Sequence, residues 1–174
     1  YGYRYDWEDW GMGGEFSGSA GEDYQYVTGY LLAATGVPFV KSERHRLVGT
    51  FHGGLGDDLD RFSAPRVGGG PQPAGQEYGS TARPVLPGAA LREFYPDDYA
   101  ILAAEYRFEA LFFSYLTART SVAYMNRVEL EGDRLEREGE YYASIGAGLI
   151  TGFVFETQLR VNYNYNTSVI RDGD

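Results

Sequence analysis

The chain has 174 residues, with 15 Lys+Arg against 25 Asp+Glu and a formal net charge of −10. This acidic balance disfavours sequence-independent binding to nucleic acids, and the absence of cysteine excludes disulfides, iron–sulfur clusters and thiol nucleophiles. Its 24 glycines are about twice the usual share, which argues against a long helical bundle. The sequence contains no apolar run of about 18 residues, so no transmembrane helix is expected. Neither terminus resembles a natural chain end, and we expect a segment of a longer protein.

The first third of the chain gives weak but recognisable strand patterns. Residues 1–18 predict one strand with a break near residues 7–10. Residues 24–34 and 45–54 each predict a further strand, because apolar and small residues alternate there with polar ones. A Gly- and Pro-rich stretch follows over residues 54–98, and its length predicts a functional loop.

The second half of the chain has a clear period of two. In residues 153–166 the odd positions are mainly apolar or aromatic, whereas the even positions after Val154 are charged or carry amides. Helical spacing would mix these two classes, so a strand is predicted. Residues 99–112, 115–130 and 139–149 repeat the alternation. About seven antiparallel strands are therefore expected.

The predicted connections differ between the two ends of the strands. Tight turns are expected at Ser114 and at residues 150–152, whereas a charged tip over residues 131–138 and the loop 54–98 lie at the opposite end. Short turns at one edge and long polar loops at the other are typical of outer-membrane barrels.

Alternation alone does not decide what each face of the sheet contacts. In a soluble β-sandwich the apolar face forms the core, whereas in a membrane barrel it contacts lipid and the charged face lines the lumen. The long strands, of roughly 11–16 residues, and the tyrosines toward strand ends favour the barrel. The polar faces carry charges of both signs, which predict a lumen charge network of Glu105, Arg107, Glu109, Arg119, Arg127, Glu129, Glu140, Glu156 and Arg160.

The loop and the strand after it carry a family resemblance. A glycine-rich stretch with Arg61-Phe62 and Gly68-Gly69-Gly70 leads to a strand reading Glu105-Tyr106-Arg107-Phe108-Glu109. This arrangement resembles the C-terminal part of the bacterial surface-antigen barrel family, which includes barrel-assembly and two-partner-secretion transporters and the barrels attached to patatin-like phospholipases. The resemblance implies that the loop folds into the lumen and that a closing strand lies beyond residue 174. The implied lumen or gating residues are Arg61, Phe62, Arg66, Gly68, Gly69, Gly70 and Arg92.

Two motifs of that family are altered here. The family loop usually carries an Arg-Gly-aromatic tip, but the nearest stretch, residues 74–78, has no arginine. The family strand that receives this arginine usually has an aromatic-x-Asp-x-Gly motif, and neither the Asp nor the Gly is present after Tyr124. Both partners of the family's Arg–Asp contact are thus missing together.

The sequence therefore predicts an all-β protein: a single, partial, antiparallel transmembrane β-barrel domain over residues 1–174, with the loop 54–98 external or folded into the lumen. We expect no catalytic residue, metal or cofactor, since the only histidines are His45 and His52. Expected partners are the lipid bilayer, lipopolysaccharide, and the rest of the chain or an envelope complex, in the outer membrane of a Gram-negative bacterium. The expected function is transport through a lumen occluded or gated by the loop, including protein translocation or insertion. The alternatives are a non-transporting scaffold barrel and a soluble β-sandwich binding module.

Overall fold

The computed structural model describes residues 2–6, 10–18, 25–37, 40, 42, 44–57, 59, 62–69, 84–90, 93–131, 134–152 and 158–167, and its regular structure is entirely β. Eight strands form one antiparallel sheet in which the spatial order equals the sequence order, with β1 and β8 at its edges. None of the described residues belongs to a helix that could span a membrane. The strands are β1 (Gly2–Asp6), β2 (Trp10–Gly18), β3 (Gln25–Gly36), β4 (His45–Asp57), β5 (Tyr99–Leu111), β6 (Ser114–Glu131), β7 (Arg134–Gly152) and β8 (Gln158–Asn166).

The all-β prediction is confirmed, but the strand count and several boundaries were wrong. Residues 1–18 hold two strands rather than one, because β1 pairs with β2 from Gly2↔Glu15 to Asp6↔Gly11. Strand β4 also runs three residues beyond the predicted end at residue 54. Alternation therefore located the strands, whereas the pairing of backbone groups with a neighbouring strand decides where each one ends.

The predicted connections between strands differ most from those in the structure. Strands β6 and β7 stay paired out to Glu131↔Arg134, so the predicted charged tip over residues 131–138 belongs mainly to β7. The turn predicted at residues 150–152 is also strand, because β7 pairs with β8 as far as Gly152↔Gln158. The turn assigned to Ser114 instead centres on the preceding pair of phenylalanines, where Phe113 has a φ of 63°.

One face of the sheet, here called the apolar face, is exposed although it carries the large hydrophobic side chains. Leu102 is 56%, Ile145 63% and Tyr163 77% exposed. A sheet in a soluble sandwich buries this face instead. The other exposed side chains of the apolar face are Val27, Leu31, Leu47, Phe51, Leu55, Leu116, Val122, Tyr124, Tyr141, Leu149, Leu159, Val161 and Tyr165.

The opposite face, here called the polar face, is the covered one. It carries the charged side chains of β5 and β6 in alternation with buried ones such as Ile101 and Ser121, which are 1% and 2% exposed. At its loop end it also holds apolar residues: Ile101, Ala123, Met125 and Tyr142 form one buried cluster. A hydroxyl pair joins β6 to β7 within this face, with Ser121 Oγ and Ser144 Oγ 2.6 Å apart.

The described part of the long connection between β4 and β5 lies on the polar face. Its apolar side chains Val67, Leu86 and Phe94 belong to the same buried cluster as Ile101 and Met125. The ring of Phe94 also packs on that of Tyr142, with centroids 5.1 Å apart. Burying three such side chains stabilises the docked loop by roughly 1.5–3 kcal/mol each. The prediction allowed a loop that is external or folded into a lumen, and the structure shows that the described part of the loop packs against the polar face of the sheet.

Backbone hydrogen bonds fix the shape of this docked loop. Val67 and Phe94 exchange two of them, at 3.0 and 2.9 Å, and Leu86 N donates to Gly68 O at 3.0 Å. Gly69 N donates to Ala90 O at 2.8 Å, which brings the backbone of Gly69 so close to Ala89 O that a Cβ at Gly69 would overlap it. Only glycine fits this approach without moving the loop.

We predict that Gly69→Ala loosens the loop, because its methyl group must displace backbone rather than a flexible side chain. Overpacking of this kind costs about 1–3 kcal/mol. Hydrogen exchange should show reduced protection at the amides of Val67, Leu86 and Phe94. The matched control is Gly49→Ala in β4, where an added Cβ would meet its nearest atom only at 4.0 Å. Unchanged protection in Gly69→Ala would contradict the close approach.

Candidate functional site: an arginine cluster beside the loop

The carboxylate of Glu105 is the centre of a charge cluster on the polar face. Arg107 lies two residues further along β5, on the same face, and its Nε donates to Glu105 Oε1 at 2.6 Å. Arg119 lies directly opposite in β6, and its Nη2 donates to Glu105 Oε2. The period of two and the strand register together bring these three side chains into contact.

A third arginine reaches Glu105 from the far edge of the sheet. Arg160 belongs to β8, and its Nη2 lies 2.9 Å from Glu105 Oε2. The row that contains Glu105 continues through Arg119 and Gly146 to Asn164, so Arg160 lies four residues away from that row. On a flat sheet, three strand spacings and four residue rises would separate the two backbones by roughly 19 Å, farther than both side chains reach. The sheet must therefore curl, with the polar face on the inside.

Glycines in β7 leave the space that these side chains occupy. The Oδ1 atoms of Asn164 and Asn162 lie where Cβ atoms would stand on Gly146 and Gly148, their partners in the register. The amide side chains of β8 thus lie flat over the backbone of β7 instead of pointing away from the sheet. A side chain at either glycine would push them toward the arginines.

A cavity of about 500 Å³ opens between this part of the sheet and the docked loop. Two of the three arginines, Arg119 and Arg160, line it, together with the amide side chains of Asn162 and Asn164. The third arginine, Arg107, is not part of its lining. The remaining lining residues are Gly69, Val85, Pro87, Gly88, Ala89 and Tyr163.

The loop side of the cavity is held by a contact with the end of β8. Asn166 Nδ2 donates to Pro87 O at 3.4 Å. The next residue, Gly88, has a φ of +87°, and a Cβ there would lie 2.9 Å from Asn166 Cβ. Glycine meets both requirements, since it accepts a positive φ and lets the loop approach β8.

The cluster carries an excess of positive charge. Three guanidinium groups surround one carboxylate, a formal sum of +3 − 1 = +2, and the four side chains are only 11–20% exposed. Charge-assisted hydrogen bonds among partly buried groups are about twice as strong as neutral ones. The arrangement can bind an anion in the cavity, where two of the guanidinium groups form part of the wall.

The other residues of the predicted lumen charge network lie outside the cluster around Glu105. Glu109 shares the face of Glu105, and Glu140 accepts a hydrogen bond of 2.6 Å from Tyr142 Oη. Arg127 and Glu129 lie in β6, where the register places them opposite Glu138 and Glu136. Glu156 lies outside the described residues.

The residues predicted for the lumen or gating loop have different environments. Phe62 is 86% exposed and Arg66 is also exposed. Gly68 forms a bridge with Val85, and Gly69 lines the cavity. Arg61, Gly70 and Arg92 lie outside the described residues.

Sequence reasoning missed the residues that join loop and sheet. Val67 and Leu86 anchor the loop, but they lie in a stretch rich in Gly and Pro, where no periodic pattern marks a buried position. The alternation in residues 153–166 predicted that Asn162 and Asn164 share a face with Arg160, but it did not indicate that these side chains line a cavity beside the loop.

The two histidines take no part in the cluster. His52 is 7% exposed and its ring stacks on Tyr30, with centroids 5.8 Å apart. His45 lies at the start of β4, where its Nδ1 is 2.6 Å from Tyr106 Oη. In the part of the chain that the structure describes, no group of three or more His, Asp or Glu side chains could hold a metal ion.

We predict that Glu105→Gln destabilises the protein by about 3 kcal/mol, because it leaves three partly buried guanidinium groups without their shared carboxylate. Equilibrium urea unfolding measures this loss. The matched control is Glu109→Gln, on the same strand and face, which forms no ion pair among the described residues and should stay within about 0.5 kcal/mol. Equal stabilities of the two variants would show that the cluster does not hold the sheet together.

The comparisons with known proteins add no relative to this geometry. No protein-family model, curated protein or solved structure matches the chain. The resemblance to surface-antigen barrels rests on the sequence motifs alone.

Proposed function

We propose that this chain forms part of the wall of an outer-membrane β-barrel, with the apolar face toward lipid and the polar face toward the lumen. The observation that carries the proposal is the exposure of the apolar face, on which Val122 is 53% and Ile145 63% exposed. Exposed apolar patches of this extent on a protein surface mark a contact with a membrane or another apolar partner. A soluble sandwich would have buried these side chains, which disfavours the alternative of a soluble binding module.

The height of the apolar band supports a bilayer as the partner. On β5 it runs from Ala100 to Phe108, eight residue rises or roughly 27 Å along the strand. Strands of outer-membrane barrels are tilted by roughly 35–45°, which reduces this length to about 21 Å across the membrane. The apolar band of known barrels is about 25 Å tall, so the two dimensions agree.

The composition of the band supports the same partner. No Asp, Glu, Lys or Arg occupies an apolar-face position of β5, of β6 up to Tyr124, of β7 from Tyr141 to Leu149, or of β8. The charged side chains of these segments all belong to the polar face. Charges are costly against lipid and acceptable in a lumen, so this segregation fits a membrane wall.

Aromatic side chains stand at both ends of the band. At one end Tyr124 and Tyr141 pack together, with ring centroids 5.0 Å apart. At the other end the rings of His45 and Phe108 lie 4.9 Å apart. Aromatic rings at both limits of an apolar band are typical of the interfaces between lipid and water.

The docked loop supports a transporter-type barrel in which the loop occludes or gates the lumen. Because the sheet curls toward the polar face, a loop anchored on that face lies inside the curve. The surface-antigen resemblance implies the same placement. We propose transport of a solute or a polypeptide past this loop, and a non-transporting scaffold barrel is the alternative that the conductance experiment below distinguishes.

A charge placed on the apolar face tests the membrane contact. We expect Val122→Arg, in the middle of the band, to destabilise the lipid-inserted protein by about 2–4 kcal/mol, because the charge would enter hydrocarbon. The matched control is Leu111→Arg at the end of β5, three residues beyond Phe108 at the limit of the band, where the expected cost near the interface is about 0–1 kcal/mol. Both are measured by urea unfolding from phosphatidylcholine vesicles. A protein that stays in aqueous solution without detergent, and tolerates both changes equally, would refute the membrane wall.

Removal of the loop tests its role as a plug. We expect deletion of residues 62–94 from the full-length protein to raise the ion conductance in planar bilayers, because the polar face loses its cover. Retained strand content in circular dichroism confirms that the barrel has folded. The Gly69→Ala protein, whose loop is loosened but present, should show more frequent openings. Unchanged conductance in both variants would contradict the plug and favour the scaffold barrel.

A further inference from the structure

We infer that the cavity between the docked loop and β8 is a binding site for a small hydroxylated organic anion of the size of a sugar phosphate. The inference stands on the cavity and its lining, and it does not depend on whether the apolar face contacts lipid.

The wall of the cavity presents cationic groups. Arg119 and Arg160 both line it, and both are oriented by the carboxylate of Glu105. A guanidinium group offers up to five N–H donors in a planar arrangement, so it can hold one carboxylate and still present donors to a second anion. Two guanidinium groups fixed in this way are suited to phosphate or carboxylate oxygens.

Amide side chains stand beside the arginines. Asn162 and Asn164 follow Arg160 at intervals of two on the same face of β8, and both line the cavity. Asn164 Oδ1 is buried and has no hydrogen-bond partner among the described residues. A carboxamide both donates and accepts, which is the combination that recognises a hydroxyl group. The ligand class is therefore an anion that also carries hydroxyl groups.

The dimensions and position of the cavity narrow the class further. A space of about 500 Å³ lies within the range of small-molecule sites and is far larger than a bare phosphate needs. The arginines and asparagines that line it belong to the polar face, opposite the exposed apolar side chains. A lipid headgroup would have to bring its acyl chains onto this polar side, so the ligand is a free solute rather than a lipid.

Binding to the purified full-length protein in detergent micelles tests the site, with glucose 6-phosphate as the probe and calorimetry as the readout. We expect Arg160→Gln or Arg119→Gln to weaken binding about tenfold or more, because a lost charge-assisted hydrogen bond is worth at least about 1.4 kcal/mol. The matched control is Arg66→Gln, which removes an exposed arginine of the same loop that lies outside both the cluster and the cavity lining, and should change binding less than about threefold.

Two part-ligands test the chemical class. Inorganic phosphate and glucose should each bind more weakly than glucose 6-phosphate, and Asn162→Ala should weaken the sugar phosphate without affecting inorganic phosphate. Phosphate that binds as tightly as the sugar phosphate would overturn the hydroxyl recognition. Equal losses in the Arg66 and Arg160 variants, or no binding by the wild-type protein, would overturn the site. Conductance and membrane insertion are separate measurements, so failure here leaves the barrel proposal standing.

Discussion

The contact of Glu105 with Arg160 is the constraint on which the rest of this structure depends. Its two partners lie three strands apart, and they meet only because the sheet curls toward its polar face. A curled sheet has an inside with limited room, so its interior must be filled by small residues, by flat side chains or by paired charges. Gly146 and Gly148 provide the small residues, the asparagines of β8 the flat side chains, and Arg119 with Glu105 a paired charge. The curvature of the sheet thus explains both the small residues and the paired charges on its inside.

The same curvature gives the loop its place. The inside of the sheet is charged around Glu105 but apolar toward the start of β5, where Ile101 and Met125 are buried. Val67 and Leu86 dock on that apolar part, and the glycine-rich backbone beside them passes over the charged part. Apolar contacts therefore hold the loop, whereas backbone and charge form the cavity next to it. This division explains how a loop can be fixed at one point and leave an open space at another.

Much of the fold could be predicted from the sequence, and what could not has a physical reason. Alternation located β5 to β8, because each side chain's face depends only on its parity within a strand. It did not give the ends of β6 and β7, since pairing with a neighbour continues through the charged residues 131 and 134. The side-by-side placement of Glu105 and Arg119 depends on register, and the approach of Arg160 depends on curvature, neither of which is visible in one strand. The anchors Val67 and Leu86 depend on tertiary contacts, which a Gly- and Pro-rich stretch does not reveal.

The net charge of −10 is unevenly distributed over the chain, because the cluster around Glu105 is locally positive. Averaged over the chain, the excess of acidic residues disfavours anionic partners. At the cavity the local sum of the four clustered side chains is +2, and these side chains are mostly shielded from solvent. Electrostatic interactions between partly buried groups are screened by salt much less than those between exposed charges. An anion that approaches the inside of the sheet therefore meets a surface that repels it at long range and a site that holds it at short range. Such a combination favours ligands small enough to reach the arginines and rejects large polyanions, which would remain under the influence of the acidic surface.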